Sequence, residues 1–124
     1  MSKQPGDPRA EVLRRRTKAF ALAVIRFCRT LPNTEDARVI RRHLLRSATS
    51  VAANYRAAGR ARSRREFAAK IGVVLEEADE SEFWIELLID AGLADAERTR
   101  ELLREAGELV AIFAASRRTA TGER

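Results

Sequence analysis

Cysteine is nearly absent from this chain, and so are the residues that interrupt helices. A single cysteine, Cys28, in 124 residues excludes an internal disulfide framework and suits a reducing compartment. Three prolines and six glycines leave little material for a fold built on tight turns. No apolar run approaches the roughly 18 residues that span a bilayer. The opening segment MSKQPGDPRAE also lacks the apolar stretch of a secretory signal. The expected location is therefore the cytoplasm, without membrane contact. Histidine occurs once, as His43, and tryptophan and tyrosine once each, as Trp84 and Tyr55. So few rings rule out an aromatic platform for stacking bases, and no zinc-finger spacing is present.

Acidic residues are the other scarcity, but only in one half. Residues 1–70 carry 18 Lys/Arg against 5 Asp/Glu, whereas residues 71–124 carry 6 against 13, within a net charge of +6. A basic half of this kind meets a polyanion, or it meets the acidic half of another subunit. What the chain has in abundance is alanine, leucine, arginine and glutamate, which lose little side-chain entropy in helices. One all-α domain is the natural reading at this length.

Apolar spacing divides that domain into four helices. Leu13, Thr17, Phe20, Val24, Phe27 and Leu31 recur at intervals of four and three, predicting a helix over 9–31 that Pro32 ends. Asn33 or Thr34 caps a second helix, with seam Ala37, Ile40, Leu44, Ser47, Val51, Asn54 and Ala58 and a stop at Gly59. Ser63 and Glu66 make a capping-box signature for a third helix, which carries Phe67, Ile71, Val74, Ala78, Ser81, Ile85 and Leu88 and stops at Gly92. A fourth starts near Asp95 and uses Thr99, Leu102, Ala106, Leu109, Phe113 and Ser116. Short connections between helices about 30 Å long predict an up-down-up-down antiparallel four-helix bundle over 9–116. Residues 1–8 are expected to be a disordered lead and 117–124 a frayed tail.

Three constellations stand out. Arg56, Arg60, Arg62, Arg64 and Arg65 crowd the turn between the second and third helices, and the antiparallel arrangement brings Arg14, Arg15 and Arg16 to the same end. Guanidinium forks match phosphate oxygens, so these eight arginines are the candidate nucleic-acid-binding residues, reading backbone more than base. Tyr55, Trp84 and Leu87 extend the apolar surface beyond one core and are candidate oligomer-interface residues. Ser47, Asn54 and Ser81 occupy seam positions and are expected to form a buried polar layer fixing register. The acidic run Glu76, Glu77, Asp79, Glu80 and Glu82 lacks the histidines of a carboxylate-bridged metal site in a bundle. No metal or cofactor is expected from it. Glu77 and Glu80 are instead expected to pair with Arg46 or other arginines.

The segments LLRSATSVAANYRAA, SRREFAAKI and LEEADESEFWIELL resemble a bacterial four-helix-bundle family first known from intervening sequences in large-subunit ribosomal RNA genes. The similarity spans about residues 15–115. Arg46, Ser47, Ser50, Asn54 and Tyr55 fall on its second-helix signature, Ser63, Glu66 and Phe67 on its third-helix start, and Glu77, Glu80, Ser81 and Trp84 on its acidic mid-helix motif. The resemblance implies a ring-shaped homopentamer without enzymatic activity. The accessory protein of diversity-generating retroelements is a distant relative that works with a reverse transcriptase and nucleic acid. Ala57 stands where the family often has glutamate. The expected function is a non-enzymatic oligomeric bundle that binds RNA or DNA. The alternative is an oligomeric protein–protein adaptor.

Overall fold

The computed structural model describes residues 7–122. It contains four helices, α1 Pro8–Cys28, α2 Glu35–Ala58, α3 Arg64–Asp90 and α4 Ala96–Thr121, with no strand among the described residues. Each begins on a side-chain cap. Asp7 accepts from the Arg9 N–H, Thr34 from Ala37, Ser63 from Glu66 and Asp95 from Arg98. Pro8 stands in the first turn of α1, where its missing N–H costs nothing. The expected capping box at Ser63 is displaced by one residue on its return arm, because Glu66 accepts from the Arg62 N–H.

α1 is shorter than its spacing predicts. Helix ends at Cys28, the Thr30 hydroxyl donates to the Phe27 carbonyl at 2.6 Å, and Leu31 turns back to be buried against the core. α4 is longer, running to Thr121 where fraying from 117 was expected. Ala120 is buried, Gly122 closes the helix at φ +81°, and Arg64 donates to the Ala120 and Thr119 carbonyls at 3.2 and 3.4 Å. A packed side chain, a left-handed cap and a cation on the last carbonyls together hold that turn. Residues 1–6 of the expected lead and 123–124 of the expected tail lie outside the described residues.

Packing runs α1 on α2, α2 on α3 and α3 on α4, and α4 returns to α1. Residues that meet do so in opposite order along neighbouring helices. Across α2 and α3 His43 meets Trp84 and Ser47 meets Ser81. Across α3 and α4 Arg64 reaches Ala120, and Glu82 lies against Gly107. Phe113, Leu44, Ile71, Ile85, Leu88 and Leu109 are fully buried at the centre, each contributing about 1.5–3 kcal/mol.

The ring of contacts is uneven. α1 meets α4 at few places, leaving a groove of about 740 Å³ lined by Phe20, Phe27, Leu93 and Leu102. Arg16 bridges the seam by forking onto Glu105 at 2.7 and 2.9 Å and reaching Glu108.

Every fully buried side-chain polar atom has a partner among the described residues. Ser47 and Ser81, both inaccessible, share a 2.8 Å hydrogen bond in which one hydroxyl donates to the other, and the accepting serine donates to a carbonyl of its own helix, Leu44 for Ser47 or Glu77 for Ser81. Asn54 does not join them. It is half-buried and donates to the Ser50 carbonyl and hydroxyl at 3.0 and 2.7 Å, so the expected three-residue layer is a two-residue one. The physical reason lies one position on, where Tyr55 turns inward and takes the core site. Replacing Ser47 or Ser81 alone by alanine is expected to cost about 1 kcal/mol by urea denaturation. The double replacement is expected to cost no more than the worse single one, because both ends of the shared bond then disappear together.

Candidate nucleic-acid interface

The turn between α2 and α3 concentrates arginine, and the fold makes that turn one end of the bundle. α2 closes with the Gly59 N–H donating to the Tyr55 and Arg56 carbonyls at 3.3 and 3.2 Å, and helix resumes at Arg64. Arg14 of α1 lies alongside, its Nη1 3.9 Å from where a Cβ on Gly59 would stand. The end of α4 is at the same place, held by Arg64. Three helix termini and one turn therefore converge.

Arg56, Arg60, Arg62 and Arg65 are exposed there. Arg62 stands 3.9 Å from Glu66, and the other three have no ion-pair partner among the described residues. Arg14 and Arg15 share Glu11, whose carboxyl the Arg14 hydrogen bond and charge hold below the ordinary carboxylate range. Their charge is partly offset, but both guanidinium groups remain accessible.

Two of the eight candidates serve the fold instead. Arg16 is committed to Glu105 and Glu108 on α4, and that pairing raises its pKa further. Arg64 is committed to the carbonyls at the end of α4. Conversely, Arg117 and Arg118 belong to this end and were not among the candidates. Both are exposed and unpaired among the described residues. Arg117 lies across α3 at Gly72, where a Cβ would stand 3.4 Å from its Nε. The signal for them was available, since Ala120 continues the seam of Leu109 and Phe113 two helical turns further on.

The acidic mid-helix motif builds a different structure, on the α2–α3 face. Arg46 bonds Glu77 at 3.1 Å and Glu80 at 2.9 Å within the protomer. Trp84 Nε1 donates to Glu80 at 3.0 Å, and the His43 ring stacks on Trp84 with centroids 4.7 Å apart at 17°. Phe83 packs edge-on against Trp84 at 4.9 Å while remaining 50% exposed. Trp84 and Leu87 are half-buried on this surface. Tyr55, grouped with them as an interface residue, is instead only 4% exposed and packs against Phe113 at 5.4 Å. Burial pushes its phenol up to about 12. The aromatic cluster of His43, Phe83 and Trp84 escaped the sequence reading because its members sit on two helices.

The Trp84 hydrogen bond, with Arg46 behind it, holds Glu80 below the ordinary carboxylate range. A depressed acid stabilises fully above its unfolded pKa and loses that contribution as pH falls through the folded value. Glu80→Gln is therefore expected to flatten the acid limb of stability below about pH 4.5. At neutral pH it should cost under about 1 kcal/mol, since Arg46 is half-exposed and the glutamine oxygen still accepts from Trp84. Thermal melts across pH measure both effects.

The Cys28 thiol is buried and pushed up to about 11 by that burial. Among the described residues no three His, Cys, Asp or Glu side chains converge on a metal position. No described helix is long and apolar enough to cross a membrane.

Fold and surface define an all-helical four-helix bundle with one arginine-rich end and an aromatic, acidic flank. The chain belongs to the 23S rRNA-intervening sequence protein family, whose model matches residues 11–115. Among solved structures it is similar to a protein of unknown function from the S23 ribosomal protein family of Bacteroides thetaiotaomicron, with a TM-score of 0.80 and 29% identity. That likeness covers 88% of this chain and 97% of the other. No curated relative matches.

Proposed function

We propose that this chain is a non-enzymatic, oligomeric, cytoplasmic four-helix bundle that binds RNA or DNA through the phosphate backbone. The observation that carries the reading is the convergence of Arg56, Arg60, Arg62, Arg65, Arg117 and Arg118 at one end, five of them without an ion-pair partner among the described residues. Solvated guanidinium groups left unpaired by the fold are available to phosphate, and each contact releases a condensed counterion. The family's description, which names a 23S rRNA intervening sequence, supports RNA as a ligand to try first. The family resemblance supports a ring of five as the assembly.

With few rings near this end, recognition is of backbone and shape, with weak sequence preference. Titration of nuclease-treated protein into labelled structured RNA and duplex DNA at several salt concentrations tests the reading. Affinity that falls steeply with salt supports it, and no binding at low salt leaves the adaptor function. Glu76, Asp79, Glu86 and Asp90, exposed along α3 and without a cation partner among the described residues, favour that second reading, because they suit a protein partner and repel a polyanion.

A further inference from the structure

The open seam between α1 and α4 and the outer face of α3 are complementary surfaces on one chain. Phe20, Phe27, Leu93 and Leu102 give the groove an apolar floor, while its α4 wall also carries Asp95, Arg98, Glu101 and the Arg16-paired Glu105, so the excess of positive charge lies on the α1 side alone. Its α1 lip exposes Ala19, Leu22 and Ala23, with Lys18, Arg26 and Arg29 around them. None of those three cations is ion-paired among the described residues.

The outward face of α3 is the inverse. Val73 at 37% and Phe83 at 50% exposure stand among Glu76, Asp79, Glu86 and Asp90, all exposed and without a cation partner among the described residues. Burial, with Glu86 and Asp79 nearby, holds the adjoining Glu82 above the ordinary carboxylate range, as an uncompensated acidic face requires. α1 and α3 are diagonal in the bundle, so these surfaces face opposite sides of the protomer.

We propose that the α1–α4 groove receives the Phe83 face of α3 from a second copy of this chain, in a head-to-tail contact. The inference rests on the oligomeric part of the reading above and adds which faces meet. Both helices start at the arginine-rich end, and Phe27 and Phe83 each occupy the twentieth position of their helix. Copies set side by side with parallel axes therefore bring Phe83 level with Phe27 at the groove. The same register sets the acids of α3 along the lip that carries Lys18, Arg26 and Arg29.

A second copy fits better than an unrelated helix, because the matching charge, apolar knob and level all reside on this chain and are unused within it. A head-to-tail contact uses two different patches, so it propagates and closes into a ring when the rotation permits. Every copy then presents its arginine-rich end on the same rim, and one nucleic acid meets several of them at once.

Two surface variants test the pairing. Ala23→Glu places a carboxylate in the groove, and Phe83→Glu removes the knob. Both positions are exposed on helices, and circular dichroism checks that helicity is retained. By light scattering, wild type is expected well above the 13.9 kDa protomer and each variant alone at the protomer mass. An equimolar mixture of the two is expected at twice that mass. Each variant retains the surface the other has lost, so one sound contact forms and the chain then terminates. A monomeric wild type at micromolar concentration overturns the inference together with the oligomeric reading. An assembled wild type whose variants still assemble, or whose variants fail to pair on mixing, overturns the pairing of these faces and leaves oligomerisation standing. Polyanion titration of the monomeric variants, whose arginines are intact, reports separately on nucleic-acid binding.

Discussion

Arg56, Arg60, Arg65 and Arg118 replaced together by glutamine are expected to remove most of the salt-sensitive affinity for RNA or DNA. Each phosphate contact contributes about 0.9 to the slope of log K against log salt on duplex DNA, so four contacts account for a slope of roughly 3.6. Between about 50 and 200 mM salt that corresponds to a change of about 100-fold in the wild type, which the variant should largely lack. All four side chains are exposed and none pairs with a carboxylate among the described residues, so the fold should survive. The proper control is a second variant with the same charge change elsewhere. Arg38, Arg41, Arg42 and Arg100 lie away from this end and from the groove, and their replacement by glutamine also lowers the net charge from +6 to +2. Equal losses in the two variants mean that the protein attracts polyanions by total charge alone. A loss confined to the first makes the arginine-rich end the binding surface.

The choice of those four arginines shows what a sequence conveys about a surface. The bundle was legible because helix period is a local property. On α3 the seven expected seam residues, from Phe67 to Leu88, are the seven that are buried. A polar contact between elements was partly legible, as Ser47 and Ser81 show, because small hydroxyls on two seams must find partners when the seams meet. Asn54 and Tyr55 were not separable by period. Adjacent positions are 100° apart on a helix, and a slight rotation of α2 chooses which of them enters the core. The choice falls to Tyr55, which buries more apolar area and keeps the polar amide at the margin.

Arginine roles were harder to read, because a guanidinium is long enough to serve several purposes. Arg14, Arg15 and Arg16 are consecutive. Two reach back to Glu11 in their own helix, and the third crosses to Glu105 and Glu108, 89 and 92 residues away. That pairing depends on how α1 settles against α4, a tertiary fact with no local signature. The same fact opens the groove. The direct packing between α1 and α4 is sparse, and Arg16 supplies a polar tie where an apolar contact is lacking. Charge asymmetry between the halves was visible at once. Its division into a basic end for phosphate and an acidic flank beside an apolar knob needed the arrangement of helices.

The largest stability effect is expected at Phe113, and phenylalanines elsewhere in the chain sharpen the test. Phe113 is fully buried where α2, α3 and α4 meet, with the Tyr55 ring 5.4 Å away and tilted by 48°. Alanine there removes the ring from a close-packed interior and leaves a cavity that helices cannot easily collapse, at a cost of about 3–5 kcal/mol. For a domain of this size the thermal midpoint should drop by roughly 10–25 °C. Phe83→Ala deletes the same atoms from a half-exposed position and should change protomer stability by about 0.5 kcal/mol or less. Urea melts of both variants at a concentration where the protein is monomeric make the comparison clean. A small loss at Phe113 would mean that the centre of the bundle repacks freely. A large loss at Phe83 would mean that its edge contact with Trp84 supports the fold, and the residue would then be structural before it is anything else. Tyr55→Phe separates the remaining contribution. It keeps the ring against Phe113 and deletes only a hydroxyl, so stability near that of the wild type identifies Tyr55 as an apolar core residue.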